Sequence, residues 1–164
     1  SPGSITEYKS LASSLKVSYQ TISKYVHYLE QGYLIRSIYN KRGSAIVMSR
    51  KAKKIYLMAT SLSLPVIDSE AKFLSMMPKI AENAVATHTS AKYFWREYYE
   101  LDFLTDGLPI EVKYTGNLDI GNNIKAALKF GTDKLTVVTK DYEGVEKKDE
   151  LEITCIPLWK FLMT

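Results

Sequence analysis

Between Tyr8 and Leu29 the apolar positions recur at helical spacing. Tyr8, Leu11, Ala12 and Leu15 line one face of a first predicted helix, and Ser4-Ile5-Thr6-Glu7 ahead of it has the form of a capping box. Lys16-Val17-Ser18 makes a tight turn. Ser18 is then the N-cap of a second helix, with Ile22, Val26 and Leu29 as its buried stripe and Gly32 as its stop. Tyr19, Gln20, Ser23, Lys24 and His27 fall on the opposite, solvent side. The period then shortens, predicting strands over 34–39 and 45–48 around a basic turn, Asn40-Lys41-Arg42-Gly43-Ser44.

A break at Ser61-Leu62-Ser63-Leu64-Pro65 divides the chain into a unit over 1–62 and a second over 63–164. Ser1-Pro2-Gly3 reads as a linker and is set outside the fold. Beyond the break, Pro78 suits the first turn of a helix reaching about His88. Its apolar side is Met77, Ile80, Ala81, Ala84 and Val85, with Glu82 beside it. A strand over 93–97 leads to two apolar runs, 101–104 and 108–112, separated by the hairpin signal Thr105-Asp106-Gly107. Alternation sets Ile110 and Val112 on one face, implying a sheet covered on one side, and Glu111 and Lys113 on the other, with Asp102 on the facing strand. A polar loop, a helix over 124–130 carrying Lys125 and Lys129, a central strand over 134–139, a charged turn region over 141–150, a strand over 151–156 and a closing helix over 157–163 complete an α/β reading with a mixed sheet.

The 164 residues are 46% hydrophobic and 24% charged, the proportions of a folded globular protein. No apolar run has the roughly 18 residues of a membrane span, and no secretory signal is visible. The single cysteine, Cys155, forms no internal disulfide and sits in a buried-strand pattern, which fits a cytoplasmic setting. Charge is unevenly divided: ten Lys and Arg against two acids over 1–58, +8, and twelve against sixteen over 59–164, −4. That asymmetry points to a polyanion-facing N-terminal unit joined to an acidic one.

Helix, turn, helix and basic hairpin resemble a winged helix-turn-helix over residues 4–58. The resemblance implies a second helix entering the DNA major groove with Gln20, Ser23 and Lys24 near base edges, Tyr19 also on the DNA-binding face, and Lys41 and Arg42 on phosphates from the wing. Arg50, Lys51, Lys53 and Lys54 extend the basic track. Winged helices also dock proteins, and the exposed aromatics alone do not separate the two uses.

Asp102 and Glu111-x-Lys113 supply what metal-dependent phosphodiester cleavage requires: carboxylates for a hard cation and an amine beside the attacking water. A same-face ion pair between Glu111 and Lys113 is the plainer alternative. Helical Glu82, then Asp102, then Glu111-Val112-Lys113 after Pro109-Ile110, resemble the PD-(D/E)xK restriction-endonuclease-like superfamily. The wider string, from the winged helix through Glu82-Asn83, Tyr93-Phe94-Trp95-Arg96 and Leu101-Asp102-Phe103 to Ile156-Pro157-Leu158, is similar to the C-terminal half of archaeal and bacterial AAA-type ATPases. That resemblance implies Mg²⁺ or Mn²⁺ on Asp102, Glu111 and the Val112 carbonyl, assisted by Glu82, with Lys113 orienting the water. It also implies Lys125 and Lys129 as phosphate contacts, Asn123 as a completing polar residue, and an ATPase domain as partner, with oligomers allowed. No Gly-x-x-x-x-Gly-Lys-Ser/Thr loop is present, so an ATPase part is expected to lie outside this chain. A hydrolase, an idle DNA-binding or oligomerisation module, and a regulator whose second unit binds a small ligand remain the competing expectations.

Overall fold

The computed structural model describes residues 3–41 and 53–164. Two short helices, α1 (Tyr8–Leu15) and α2 (Tyr19–Gln31), pack through Tyr8, Ala12, Ile22 and Val26 against Ile35 and Ile55. Ser18 caps α2 as its sequence suggests, its Oγ accepting from the Thr21 amide at 3.0 Å. Leu15 and Leu29, placed in the buried stripes by spacing, are instead 61% and 39% exposed. Both sit at the C-terminal ends of their helices, beyond the reach of the small cluster beneath.

The expected capping box does not form. Glu7 occupies the cap position of α1 without a side-chain cap bond. The β-branched pair Ile5–Thr6 instead makes a short strand, β1, opposite Lys54 and Lys53. Gly3 is buried and donates its amide to the Ile55 carbonyl at 3.0 Å, so at least this part of the segment read as a linker belongs to the fold.

The hairpin partner of β2 (Ile35–Asn40) is β3 (Lys53–Leu57), paired antiparallel from Ile35↔Leu57 to Tyr39↔Lys53. The strand expected over 45–48 lies outside the described residues. β2 also pairs in parallel with β4 (Tyr93–Arg96). Asn40 extends that seam, donating from Nδ2 to the Arg96 carbonyl and accepting the Arg96 amide on Oδ1. One mixed sheet therefore runs across the break expected near residue 62, which itself forms a 3-10 helix, Thr60–Val66.

The helix after it, α3 (Glu70–Thr89), starts well before Pro78, from a cap in which Ser69 Oγ accepts the Lys72 amide. Residues 70–75 are solvent-exposed, so they carry no apolar stripe to read. Pro78 sits in the third turn, at the cost of one intrahelical donor. β5 (Glu100–Thr105) and β6 (Leu108–Lys113) form the expected hairpin. Asp106 (φ 51°) and Gly107 (φ 82°) both take the left-handed conformation of a type I′ turn.

α4 (Gly121–Phe130) crosses from β6 to the parallel strand β7 (Lys134–Thr139), which lies between β6 and β9 (Leu151–Pro157). The charged stretch expected to be a turn region forms an edge strand, β8 (Gly144–Lys148), antiparallel to β9. Its side chains are mostly exposed, as an edge strand permits, which is why its charges mask it. A short α5 (Leu158–Phe161) follows. Both faces of the sheet are covered, contrary to the one-sided expectation. α4 sits over Leu101, Leu135, Val137, Leu151, Ile153 and Cys155, and α3 over Ile38, Tyr56, Phe94, Phe103, Ile110 and Val138. No helix among the described residues is long and apolar enough to cross a membrane.

Candidate functional site

The β5–β6 ladder runs from Thr105↔Leu108 to Phe103↔Ile110. The next facing pair is Asp102 and Glu111, and there side chains replace the ladder. The Asp102 amide donates to Glu111 Oε2 at 3.2 Å, and the Val112 amide donates to Asp102 Oδ2 at 3.1 Å. Each carboxylate thus takes the hydrogen-bonding place of the opposite strand's backbone, which holds both at the opening between the strands. Lys113 Nζ lies 3.2 Å from Glu111 Oε1.

Glu111 is 5% exposed. Burial raises its pKa well above the usual carboxylate value, and the neighbouring Asp102 charge adds to that against Lys113. The Val112 amide serves Asp102, as the sequence could not foretell.

Glu82 reaches the same place from α3. Its Oε1 accepts from Tyr56 Oη at 2.6 Å, and Lys79 Nζ lies 2.8 Å from its Oε2. Between Glu82 and Asp102 stands a group the sequence assigns elsewhere, the Lys54 ammonium. It is 2.7 Å from Asp102 Oδ1, 2.6 Å from Glu100 Oε1 and 3.4 Å from Glu82 Oε1. Burial alone would lower the Lys54 pKa. Asp102, Glu82 and Glu100 outweigh it and hold the amine charged above the usual lysine range.

Lys53 and Lys54, read as a solvent-facing basic track, are both buried. Lys53 turns the other way, 4.0 Å from the centre of the Tyr8 ring and 5.1 Å from that of Tyr39. The signal that would have found Lys54 is β-periodicity: it shares a face of β3 with the buried Tyr56, two residues on. Gly3 closes the site from the N-terminus. Its φ is +73°, and a Cβ there would stand 2.6 Å from Glu82 Oε1.

Six carboxylate oxygens of Glu82, Asp102 and Glu111 therefore all have protein donors. Among the described residues no three His, Cys, Asp or Glu side chains are grouped to hold a metal ion. The donor chemistry suits a hard divalent cation; the arrangement admits one only where a protein donor is displaced.

Other expected positions divide. Asn123 is buried on α4 and donates to the Glu100 carbonyl at 3.4 Å, beside the site. Lys125 lies over the Tyr99 ring, and Lys129 pairs with Glu97 at 2.9 Å, so both have protein partners. On α2, Tyr19, Gln20 and Lys24 are exposed and Ser23 is partly so, with Lys24 Nζ 5.6 Å from the Tyr28 ring centre. Lys41 is exposed at the end of β2. Arg42, Arg50 and Lys51 lie outside the described residues.

No curated protein matches the chain, and no solved structure does. Residues 1–72 match the model of a family described as a domain of unknown function (DUF8612), a span that covers the N-terminal helices and hairpin and ends three residues into α3.

Proposed function

We propose that this chain is a DNA-binding module whose second half is a PD-(D/E)xK-type, divalent-metal-dependent phosphodiesterase acting beside an ATPase domain. The observation that carries the reading is the meeting of Asp102 and Glu111 where β5 and β6 part, with Lys113 on Glu111 and Glu82 reaching Asp102's side from α3. These residues come from one helix and the two strands of one hairpin, and all of them are charged. Burying them together costs several kcal/mol unless pairing offsets it, an arrangement concentrated at functional sites.

In this reading Asp102 and Glu111, with the Val112 carbonyl and Glu82, hold Mg²⁺ or Mn²⁺. The ion would polarise the scissile phosphate and lower the pKa of bound water. Lys113 is the catalytic amine. Its Nζ, held by Glu111 and partly open to solvent, orients the attacking water and offsets charge developing on the phosphoryl oxygens. α2 and Lys41 supply the duplex-facing surface.

Supercoiled plasmid incubated with the protein and MnCl₂ tests this directly. Nicking or linearisation by the wild type, lost in Asp102→Ala and in Lys113→Ala, is the expected result. Equal products from wild type and both variants, or none from any, would remove the catalytic assignment.

The second reading is a DNA-binding module that does not cleave. One observation favours it: Lys54 already neutralises the carboxylates that a metal would need.

A further inference from the structure

The positive charge shared by Glu82, Glu100 and Asp102 comes from the other half of the chain, on a strand whose position is fixed on both sides. β3 is hydrogen-bonded to β1 through Lys53 and Lys54 and to β2 along its whole length. Tyr56, on the same face as Lys54, donates to Glu82. The neighbouring Lys53 is committed to the opposite face by Tyr8 and Tyr39. The Lys54 side chain is 3% exposed and its ammonium is within 3.4 Å of three carboxylates, so it is a built part of the site.

We propose that Lys54 gates this site: its ammonium and a divalent cation compete for Asp102 and Glu82, so the N-terminal hairpin sets the metal affinity of the second half. The inference rests on the phosphodiesterase reading for the identity of the competing cation. Its physical basis is exclusion. A divalent ion bound through Asp102 Oδ1 would stand within a few ångströms of an ammonium bonded to the same oxygen, and in a buried setting that repulsion is far stronger than in water. One of them leaves. The Lys113 ammonium pairs with Glu111 at 3.2 Å, apart from the three carboxylates that Lys54 contacts. Lys54 also follows closely in sequence on Lys41, Arg42, Arg50 and Lys51, which places the competing charge on the strand adjoining the segment read as DNA-facing.

Free Mn²⁺ measured by electron paramagnetic resonance during titration of the full chain, without DNA, reads the competition. Lys54→Met is expected to bind Mn²⁺ at least ten-fold more tightly than the wild type, and Lys54→Arg to stay near the wild-type value. Equal or weaker binding by Lys54→Met overturns the proposal, as does no binding by either protein. Should Lys54→Met fail to fold, the wild type answers by nitrogen-15 NMR of its buried ammonium. Mg²⁺ is expected to shift or broaden the Lys54 Nζ signal in step with binding. Saturable binding that leaves this signal untouched overturns the gate. Tight Mn²⁺ binding by Lys54→Met without DNA cleavage would sink the phosphodiesterase reading alone, whereas wild-type cleavage with metal affinity unaltered in Lys54→Met would sink the gate alone.

Discussion

Asp102 and Glu111 hold each other's strands. The Asp102 amide donates to a Glu111 oxygen, and an Asp102 oxygen accepts the amide of Val112, the residue after Glu111. Two adjacent carboxylates normally repel, and these two do so in a buried place where the repulsion is not screened. The backbone amides and Lys113 partly compensate; burial first, and the Asp102 charge after it, store the remainder in Glu111, whose carboxyl is driven towards its protonated form.

That storage has a sign that can be checked. A carboxyl whose pKa is higher folded than unfolded binds its proton more tightly in the folded state. Its contribution to stability is present below the ordinary glutamate value of about 4.3 and is lost as pH rises from there through the folded pKa. Glu111→Gln removes this titration. The variant is expected to lose less stability than the wild type as pH rises from about 4 to 8. Urea unfolding at a series of pH values measures it, and parallel curves for the two proteins would refute the assignment.

Asn83, 2% exposed on α3, donates from Nδ2 to the Leu57 carbonyl and accepts the Leu57 amide on Oδ1. It continues the ladder of β3 from a helix, fixing the register between α3 and the strand that bears Lys54. Asn83→Ala leaves the half-buried Leu57 amide without its partner and the Leu57 carbonyl with only Thr87 Oγ1, at 3.3 Å, and is expected to cost about 1–3 kcal/mol. An unchanged denaturation midpoint would mean that water replaces the amide.

Tyr56→Phe deletes a hydroxyl donor to a buried, charged acceptor, Glu82 Oε1, while keeping the ring against Phe103. Glu82 retains Lys54 and Lys79, so the expected loss is about 1.5–3 kcal/mol, visible in the same assay. Tyr56→Leu should cost more, because it also empties ring volume from the core.

On the DNA side, Lys24→Ala and Lys41→Ala should each weaken binding to duplexes of any sequence and reduce the salt dependence of binding by about one phosphate contact. Fluorescence anisotropy between about 50 and 200 mM KCl gives the slope. A slope unaltered by both substitutions would turn the exposed face of α2 into a protein-docking candidate.

What was legible in the sequence follows from which signals had a single physical cause. Thr105-Asp106-Gly107 signals a hairpin between two apolar runs, and the hairpin brings Asp102 opposite Glu111. The β-branched run of β7 announced a strand buried between two others. Three things were hidden. The start of α3 has no apolar stripe, because residues 70–75 face solvent, so Pro78 looked like a first turn. β8 carries its charges along an edge and looked like a loop. Lys54 carries a charge that suits a surface, yet it shares a face of β3 with the buried Tyr56 and points inward; only tertiary contacts with Glu82, Glu100 and Asp102 make that placement tolerable.

The parallel seam between β2 and β4, closed by Asn40 on Arg96, has a practical consequence. Cutting the chain near residue 62 would strip β2 of one neighbour and β4 of another, leaving raw strand borders on both pieces that invite self-association. The N-terminal unit excised from its sheet would then be the wrong object on which to measure affinity for DNA, because β2 would lose the parallel neighbour that completes its hydrogen bonding.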